Sequence, residues 1–428
     1  MKKILYKSEY SRDEVKSLSQ INNNSVNSQE ISEIITAVKE KGDSALLEFT
    51  RLFDKVDLVN GISPITHKDL EEASNSLDRK VYEALVLSSE RIKQFHELQL
   101  PDTISLVKKE SQEISYVPNP IQTVGLYVPG GRGAYPSTVL MNAIPAKVAG
   151  VREIILCTPP ANDGRIPDSV LVAASIAGVD KIFSVGGAQS IAAMAYGTQS
   201  IPKVDKIVGP GNAYVMEAKR IVSKLVSIDK DAGPSEIVVL IDDSTRLDWA
   251  VADMLAQAEH DPDAMAVAIC LGEGLSENLE EELEKQINQQ DRKEVISKSL
   301  SSRGAIIQVD TIEDAIQVIE EIAPEHLQIM IENAERIHKR IFNAGAIFSG
   351  AWSTAVLGDY IVGTNHVLPT GGSAKFYSPL SVLDFMKWTN FVSLDQEFVN
   401  SLAESAAVLA ESEGLSAHAR ALRIRLDK

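Results

Sequence analysis

The chain has 428 residues, 44% of them hydrophobic and 24% charged, and a formal net charge of −18 at pH 7. That length calls for more than one core, and the acidic balance without a basic patch argues against nucleic acid as a partner. No run approaches about 18 uninterrupted apolar residues, so no membrane span is expected. Charge breaks "MKKILYKSEYSRDEV" before a signal-peptide core can form, and a cytoplasmic location is expected.

Residues 1–119 read as an N-terminal helical region leading into the core. Residues 28–57 and 67–99 carry apolar residues at helical spacing. From 120 onward short apolar strands alternate with helices. The strands are "TVGLYVP", "REIILCT", "KIFSVGG", "DKIVGPG", "EIVVLID" and "AMAVAICLG", and between them run segments such as "STVLMNAIPAKVAG" and "NAYVMEAKRIVSKL". Continuous apolar strands alternating with helices predict a mainly parallel sheet covered on both faces. Two such α/β blocks, 120–240 and 241–390, resemble duplicated halves. Residues 275–300 predict a charged, solvated helix, and 305–349 return to the β-α pattern. The tail, 391–428, is helical from 396, with Val399, Leu402, Ala406 and Leu409 on one face.

The dinucleotide fingerprint G-x-G-x-x-G is absent; "GEGLSE" at 272–277 lacks the third glycine and reads as an ordinary strand–turn–helix. Four other glycine turns are better candidates: "YVPGGRGAYPS", "GGAQS", "GPGNAY" and "AGPSE". Each is expected between a strand and a helix on one carboxyl sheet edge, where N–H groups at helix starts hold phosphates or carboxylates.

Three of the seven histidines, His67, His96 and His338, lie among charged helical residues and read as solvated. The other four have more telling neighbours. In "AQAEHDPDA", Gln257 and His260 are i and i+3, sharing a face in the last turn of a helix that Pro262 stops. Asp359 could add a carboxylate and His418 a second imidazole, a nitrogen and oxygen set that suits zinc or another divalent metal. In "APEHLQI", Glu325 and His326 are adjacent; on a helix their side chains would diverge by about 100°. The pair could serve two proton transfers in one cavity or merely cap a helix after Pro324. A metal-dependent hydrolase with Glu325 as its base, and a non-catalytic binding protein, stay open on these residues alone.

Taken together the motifs resemble the histidinol dehydrogenase family. The resemblance runs from about residue 28 to 425 and rests on "GLYVPGGRGAYPSTVLMNAIPAKVAGV", "GGAQSIAAMAYGT", "KIVGPGNAYVMEAKR", "AGPSEIVVLID", "AQAEHDPDA", "APEHLQI", "FSGAWSTAVLGDYIVGTNHVLPTGG" and "AESEGLSAHARA", in that order. It implies oxidation of L-histidinol to L-histidine through histidinal with two NAD⁺ and one zinc per site. It implies metal ligation by Gln257, His260, Asp359 and His418, and acid–base work by Glu325 and His326. Ser235, His366 and Glu413 would contact substrate, as would the metal ligands and His326. Tyr127, Gln189 and Asn212 would bind NAD, placing the cofactor in the first α/β block and the metal and bases in the second. The implied fold is an α/β homodimer with incomplete Rossmann-like domains whose C-terminal tails are exchanged, each completing the partner's site. One departure stands out: Lys230 and Asp231 lie just before "AGPSE", where the family's pattern is apolar. Cys157 and Cys270 sit in apolar strands, so a thiohemiacetal route is not expected.

Overall fold

The computed structural model describes residues 1–6, 9–19, 27–58, 61–109, 111–130, 133–161, 163–230 and 233–426. Gly131 and Arg132 of the first glycine turn, and Asp231 and Ala232 before Ser235, lie outside the described residues. The strands, in chain order, are β1 (Lys2–Leu5), β2 (Ile104–Lys109), β3 (Gln112–Pro120), β4 (Thr123–Tyr127), β5 (Glu153–Thr158), β6 (Lys181–Ser184), β7 (Lys206–Val208), β8 (Ser227–Ile228), β9 (Glu236–Ile241), β10 (Met265–Leu271), β11 (Gly304–Val309), β12 (His326–Ile329), β13 (Ala346–Ser349) and β14 (Met386–Ser393).

The chain divides into two compact units, 1–99 with 121–385, and 100–120 with 386–428. The larger unit holds two all-parallel sheets. One has the order β6-β5-β4-β7-β8 and the other β1-β11-β10-β9-β12-β13. Numbered within its own block, each runs 3-2-1-4-5, and β1 adds an edge strand to the second. This is the dinucleotide-fold order without its sixth strand, so the expected parallel α/β class holds. The central strands explain why: all six residues of β9, "EIVVLI", are buried, as a strand covered on both faces must be.

The smaller unit is an antiparallel sheet, β14-β3-β2, with two helices, Gln396–Ser412 and Ser416–Arg423. Strands β1, β2 and β3 escape the helical reading of residues 1–119 because the neighbouring periodicity is helical and their own burial is weak. The expected long helices are also interrupted. Residues 28–57 break at Gly42 (φ 57°) into Ser28–Lys41 and Asp43–Phe49, followed by a π-helical turn, Thr50–Asp54. Residues 67–99 break at Asp78, whose carboxylate caps the helix Arg79–Glu97. Residues 275–300 form two helices, Leu275–Ile287 and Lys293–Arg303. His96 is not solvated: it is fully buried, with Nδ1 2.7 Å from the Ile92 carbonyl.

Candidate active site

The second sheet builds its cluster at the amino edge. The helix Ile312–Ile322 ends at Ala323 in the left-handed conformation (φ 48°), and Pro324 forbids its continuation. His326 therefore opens strand β12, with Glu325 just before it, instead of starting a helix, which corrects the helical reading of "APEHLQI". Nor do their side chains part. His326 Nδ1 lies 3.5 Å from Glu325 Oε2 and 3.0 Å from the backbone oxygen of Glu236 at the start of β9. Its Nε2 lies 3.2 Å from Asp359 Oδ1. Both residues are buried, so the capped-surface-pair alternative falls. Burial alone would push the His326 imidazole down, but the Glu325 and Asp359 carboxylates outweigh it and hold it well above its ordinary value.

Glu236 was missed by sequence reasoning, although it follows Ser235 in "AGPSE". Its N–H donates to Glu325 Oε2 at 2.8 Å while its carbonyl meets His326 Nδ1, so one peptide stretch holds both candidate bases. Its own carboxyl is wholly buried, accepts from Gly371 N at 3.1 Å and faces Arg303 at 3.5 Å. Burial, then the nearby Glu325, pushes it up to about 7. Ser235 is half-buried and accepts from Met265 N at 2.9 Å. "AGPSE" thus precedes a strand. It is not a strand-to-helix turn on a carboxyl edge, and the expectation of four such turns on one edge reduces to three.

Asp359, at the end of the short helix Ala355–Tyr360, gathers the other groups. Burial would raise its carboxyl, but His326, His366 and His260 together lower it. His366 Nδ1 lies 2.8 Å from the Asp359 carbonyl. Burial holds the His366 imidazole below its ordinary value. The helix Leu247–Ala258 packs against Ala355–Tyr360 and carries Gln257 in its last turn. Gln257 is buried. His260 lies just past the helix end, its N–H donating to the Gln257 carbonyl at 3.2 Å, its ring exposed. The Gln257 amide, the Asp359 carboxylate with its histidine neighbours and the exposed His260 imidazole are the donor types of an oxygen and nitrogen site for zinc. Among the described residues no group of three or more His, Cys, Asp or Glu is set to hold a metal; this unit supplies two of those types, plus Gln257.

A further polar network, also missed from sequence, joins the three elements. Gln328, two residues beyond His326 and on the same face of β12, donates to the Asp253 carboxylate, one turn before Gln257. Thr354, the cap of Ala355–Tyr360, donates to the same carboxylate at 2.7 Å. Lys230 is buried with its ammonium on the Ser378 carbonyl.

The first sheet presents its carboxyl edge. Tyr127 ends β4, is buried, and its hydroxyl accepts from Gly187 N at 3.4 Å; burial pushes it up to about 12. Gln189 lies in the first turn of the helix Gly187–Tyr196, buried, with neither amide atom bonded. Asn212 is exposed and caps the helix Ala213–Val222 through Oδ1, accepting from Tyr214 N and Val215 N at 3.1 Å each. Between them Gly209 (φ 115°) passes so close to β4 that a Cβ there would lie 2.0 Å from the Tyr127 carbonyl. The orphaned Gln189 amide beside two helix N-termini is what a nucleotide's polar groups would complete.

Glu413 and His418 belong to the smaller unit. Glu413 ends the helix Gln396–Ser412, His418 lies on Ser416–Arg423, and both are exposed. Cys157 and Cys270 are fully buried, and burial pushes both thiols up to about 12, as inert thiols require.

The sequence matches the family model "Histidinol dehydrogenase" over residues 17–426. It is 47% identical over 397 residues to a histidinol dehydrogenase of Aromatoleum aromaticum, covering 92% of this chain and 90% of that one. It is 45% identical over 416 residues to that of Listeria monocytogenes, covering 97% of each. The structure superposes on a histidinol dehydrogenase from Elizabethkingia anophelis with a TM-score of 0.94 at 33% identity, over 100% of this chain and 98% of that one. An acetylating aldehyde dehydrogenase from Geobacillus thermoglucosidasius shares the fold alone, at TM-score 0.51 and 13% identity over 90% and 96% of the two chains.

Proposed function

The chain belongs to the histidinol dehydrogenase family, oxidoreductases of histidine biosynthesis, and from that premise we propose how its residues divide the oxidation of L-histidinol to L-histidine. Family membership decides against the hydrolase alternative. The reading is carried by one observation: His326 is held at Nδ1 by the Glu236 carbonyl, leaving Nε2 to face Asp359. NAD⁺, held by Tyr127, Gln189 and Asn212, would accept hydride in both oxidations, and zinc, held by Gln257, His260, Asp359 and His418, would orient the amino alcohol through its nitrogens.

His326 is the base for the alcohol. Its Nε2 faces the Asp359 carboxylate and must be free of its proton to act; zinc held by that carboxylate would supply positive charge that favours the neutral imidazole. Nδ1–H stays on the Glu236 carbonyl throughout, fixing the tautomer. Glu325, 3.5 Å away, is the base for water in the aldehyde step, its carboxylate oriented by the Glu236 N–H. His326 then takes the second proton from the hydrated aldehyde. Ser235, His366 and Glu413 bind the substrate. With both thiols buried, hydration by Glu325 replaces any cysteine adduct.

Each site is assembled from two chains of a homodimer, with His418 and Glu413 supplied by the partner's tail. Supporting this, the smaller unit leaves apolar side chains in solvent: Leu402, Val408 and Leu409 on its long helix are each more than half exposed, as are Ile104 and Leu106 on β2. Apolar area of that kind calls for a covering surface. The test is to unfold and refold His260→Asn and His418→Asn variants together, each inactive alone. In a mixed dimer with exchanged tails one site carries both defects and the other neither, so about a quarter of all sites recover. No recovery, with mixed dimers shown to be present, places His418 in its own subunit's site or outside the metal site.

A further inference from the structure

Among the described residues seven buried side-chain polar atoms have no hydrogen-bond partner, and five of them belong to Thr50, Asp54, Ser184 and Gln189. Buried polar atoms are ordinarily satisfied, so such a concentration marks where a missing ligand's groups belong. Ser184 ends β6, in register with Thr158 at the end of β5. Gln189 follows one turn later, its amide folded back to within 2.5 Å of where a Gly187 Cβ would stand. Thr50 and Asp54 come from far earlier in the chain, on the π-helical turn Thr50–Asp54. The helix leading into that turn, Asp43–Phe49, packs on Gly187–Tyr196.

Two local features suit this turn to a binding role. A π-helical turn departs from ordinary helix geometry, often at functional sites, and Lys55 behind it sits at φ 59°, a left-handed conformation uncommon for a residue with a side chain. Asp54 Oδ2 is buried and unbonded, and burial pushes the carboxyl up to about 6, so it is charged at neutral pH. Its charge reaches Tyr127 at the end of β4.

The topology says what the acid is for. In a sheet ordered 3-2-1-4-5 a carboxylate at the end of the second strand reads the adenosine ribose of a dinucleotide. Here the second strand, β5, ends in Thr158-Pro159-Pro160 and offers no acid. The next one along, Asp163, is exposed and holds Arg165 N at 3.0 Å. The loop after β5 does meet the Asp54 segment, since a Cβ on Gly164 would lie 3.4 Å from Val56 Cγ1.

We propose that Asp54 is the ribose-reading residue of the dinucleotide site, accepting hydrogen bonds from the adenosine-ribose hydroxyls and excluding a 2′-phosphate by its charge. Thr50 supplies a second polar contact beside it. This inference rests on the reading that the carboxyl edge of the first sheet binds NAD⁺.

Binding is measured by isothermal titration calorimetry on the full-length protein, with NAD⁺, 2′-deoxyadenosine-NAD⁺ and NADP⁺. Asp54→Asn is expected to weaken NAD⁺ binding about 10- to 100-fold, the range for a hydrogen bond to a charged group. NADP⁺ binding should not weaken, so the preference for NAD⁺ collapses. Wild type should lose a similar factor with the 2′-deoxy ligand, and Asp54→Asn should no longer tell the two ligands apart. Gln189→Leu marks the site independently. A loss in Gln189→Leu with none in Asp54→Asn removes Asp54 and keeps the site; no loss in either removes both. If Asp54→Asn does not fold, wild type decides alone, because equal affinity for NAD⁺ and its 2′-deoxy form overturns the proposal.

Discussion

The two parallel sheets share a strand order but not a working edge. In the first, β4, β6 and β7 run out into glycine turns, and the helices that follow present N–H groups at the carboxyl edge, as open α/β sheets generally do. In the second, Glu236, Glu325 and His326 sit at the amino edge, where β9 and β12 begin. Backbone groups at the start of a strand are not all used by the ladder, and Glu236 gives its N–H to one base and its carbonyl to the other. Topology alone does not choose the edge. Spare, directed polar groups do, and each half has them at a different end.

Metal removal gives the largest effect and the sharpest separation of the edges. A chelator is expected to abolish NADH formation from histidinol, and Zn²⁺ or Mn²⁺ to restore it. Calorimetric NAD⁺ binding to the stripped protein should persist, since Gln189 and its neighbours hold no proposed metal ligand. Full turnover in a preparation shown to be metal-free would break the assignment of Gln257, His260 and Asp359.

Next in size are the two bases. His326→Ala should lower turnover of histidinol by about 10²- to 10⁴-fold, the usual worth of a positioned acid or base. Glu325→Gln should hurt oxidation of supplied histidinal more than the first hydride transfer. Neither should shift NAD⁺ affinity. Equal losses in both half-reactions for both variants would show that the division of labour is wrong.

The halves were unequally legible in sequence. Strands β4 to β7 and β9 to β11, and the parallel class, follow from apolar runs, because a strand buried on both faces must be apolar throughout. The helix before Pro262 was legible too, but it ends at Ala258, four residues short of the proline, so Gln257 alone sits in the last turn and His260 falls just past it. What failed was direction and context. The Pro324-Glu325-His326 stretch has the same composition whether a helix starts or a strand does, and the deciding left-handed residue, Ala323, is not glycine. Glu236 looks like one more surface acid, and only β9's place between β10 and β12 buries it. The helices Asp43–Phe49 and Gly187–Tyr196 meet from far apart in sequence, at a contact that local pattern cannot announce.

The smallest expected effect concerns stability, and it isolates the cost of the amino edge. Glu236 is buried beside Glu325, and its folded carboxyl lies at about 7 against about 4.3 unfolded. Between those values the folded state holds a proton that the unfolded state has lost, so this group's contribution falls as pH rises and is fully unfavourable above pH 7. Below about pH 4 both states are protonated and the term vanishes. Glu236→Gln removes the charge but keeps an oxygen for Gly371 N, and Arg303 retains the Asp263 and Leu18 carbonyls. The variant should therefore unfold later in urea than wild type at pH 8, by about 1–3 kcal/mol, with that gain smaller at pH 5 and vanishing toward pH 4. Asp54 carries a smaller upward shift at the other edge, and Asp54→Asn should show the same sign with a lesser amplitude. A Glu236→Gln difference that is constant from pH 5 to pH 8 would mean the buried carboxyl does not titrate against Glu325, and that the amino edge bears no electrostatic cost for holding its two bases together.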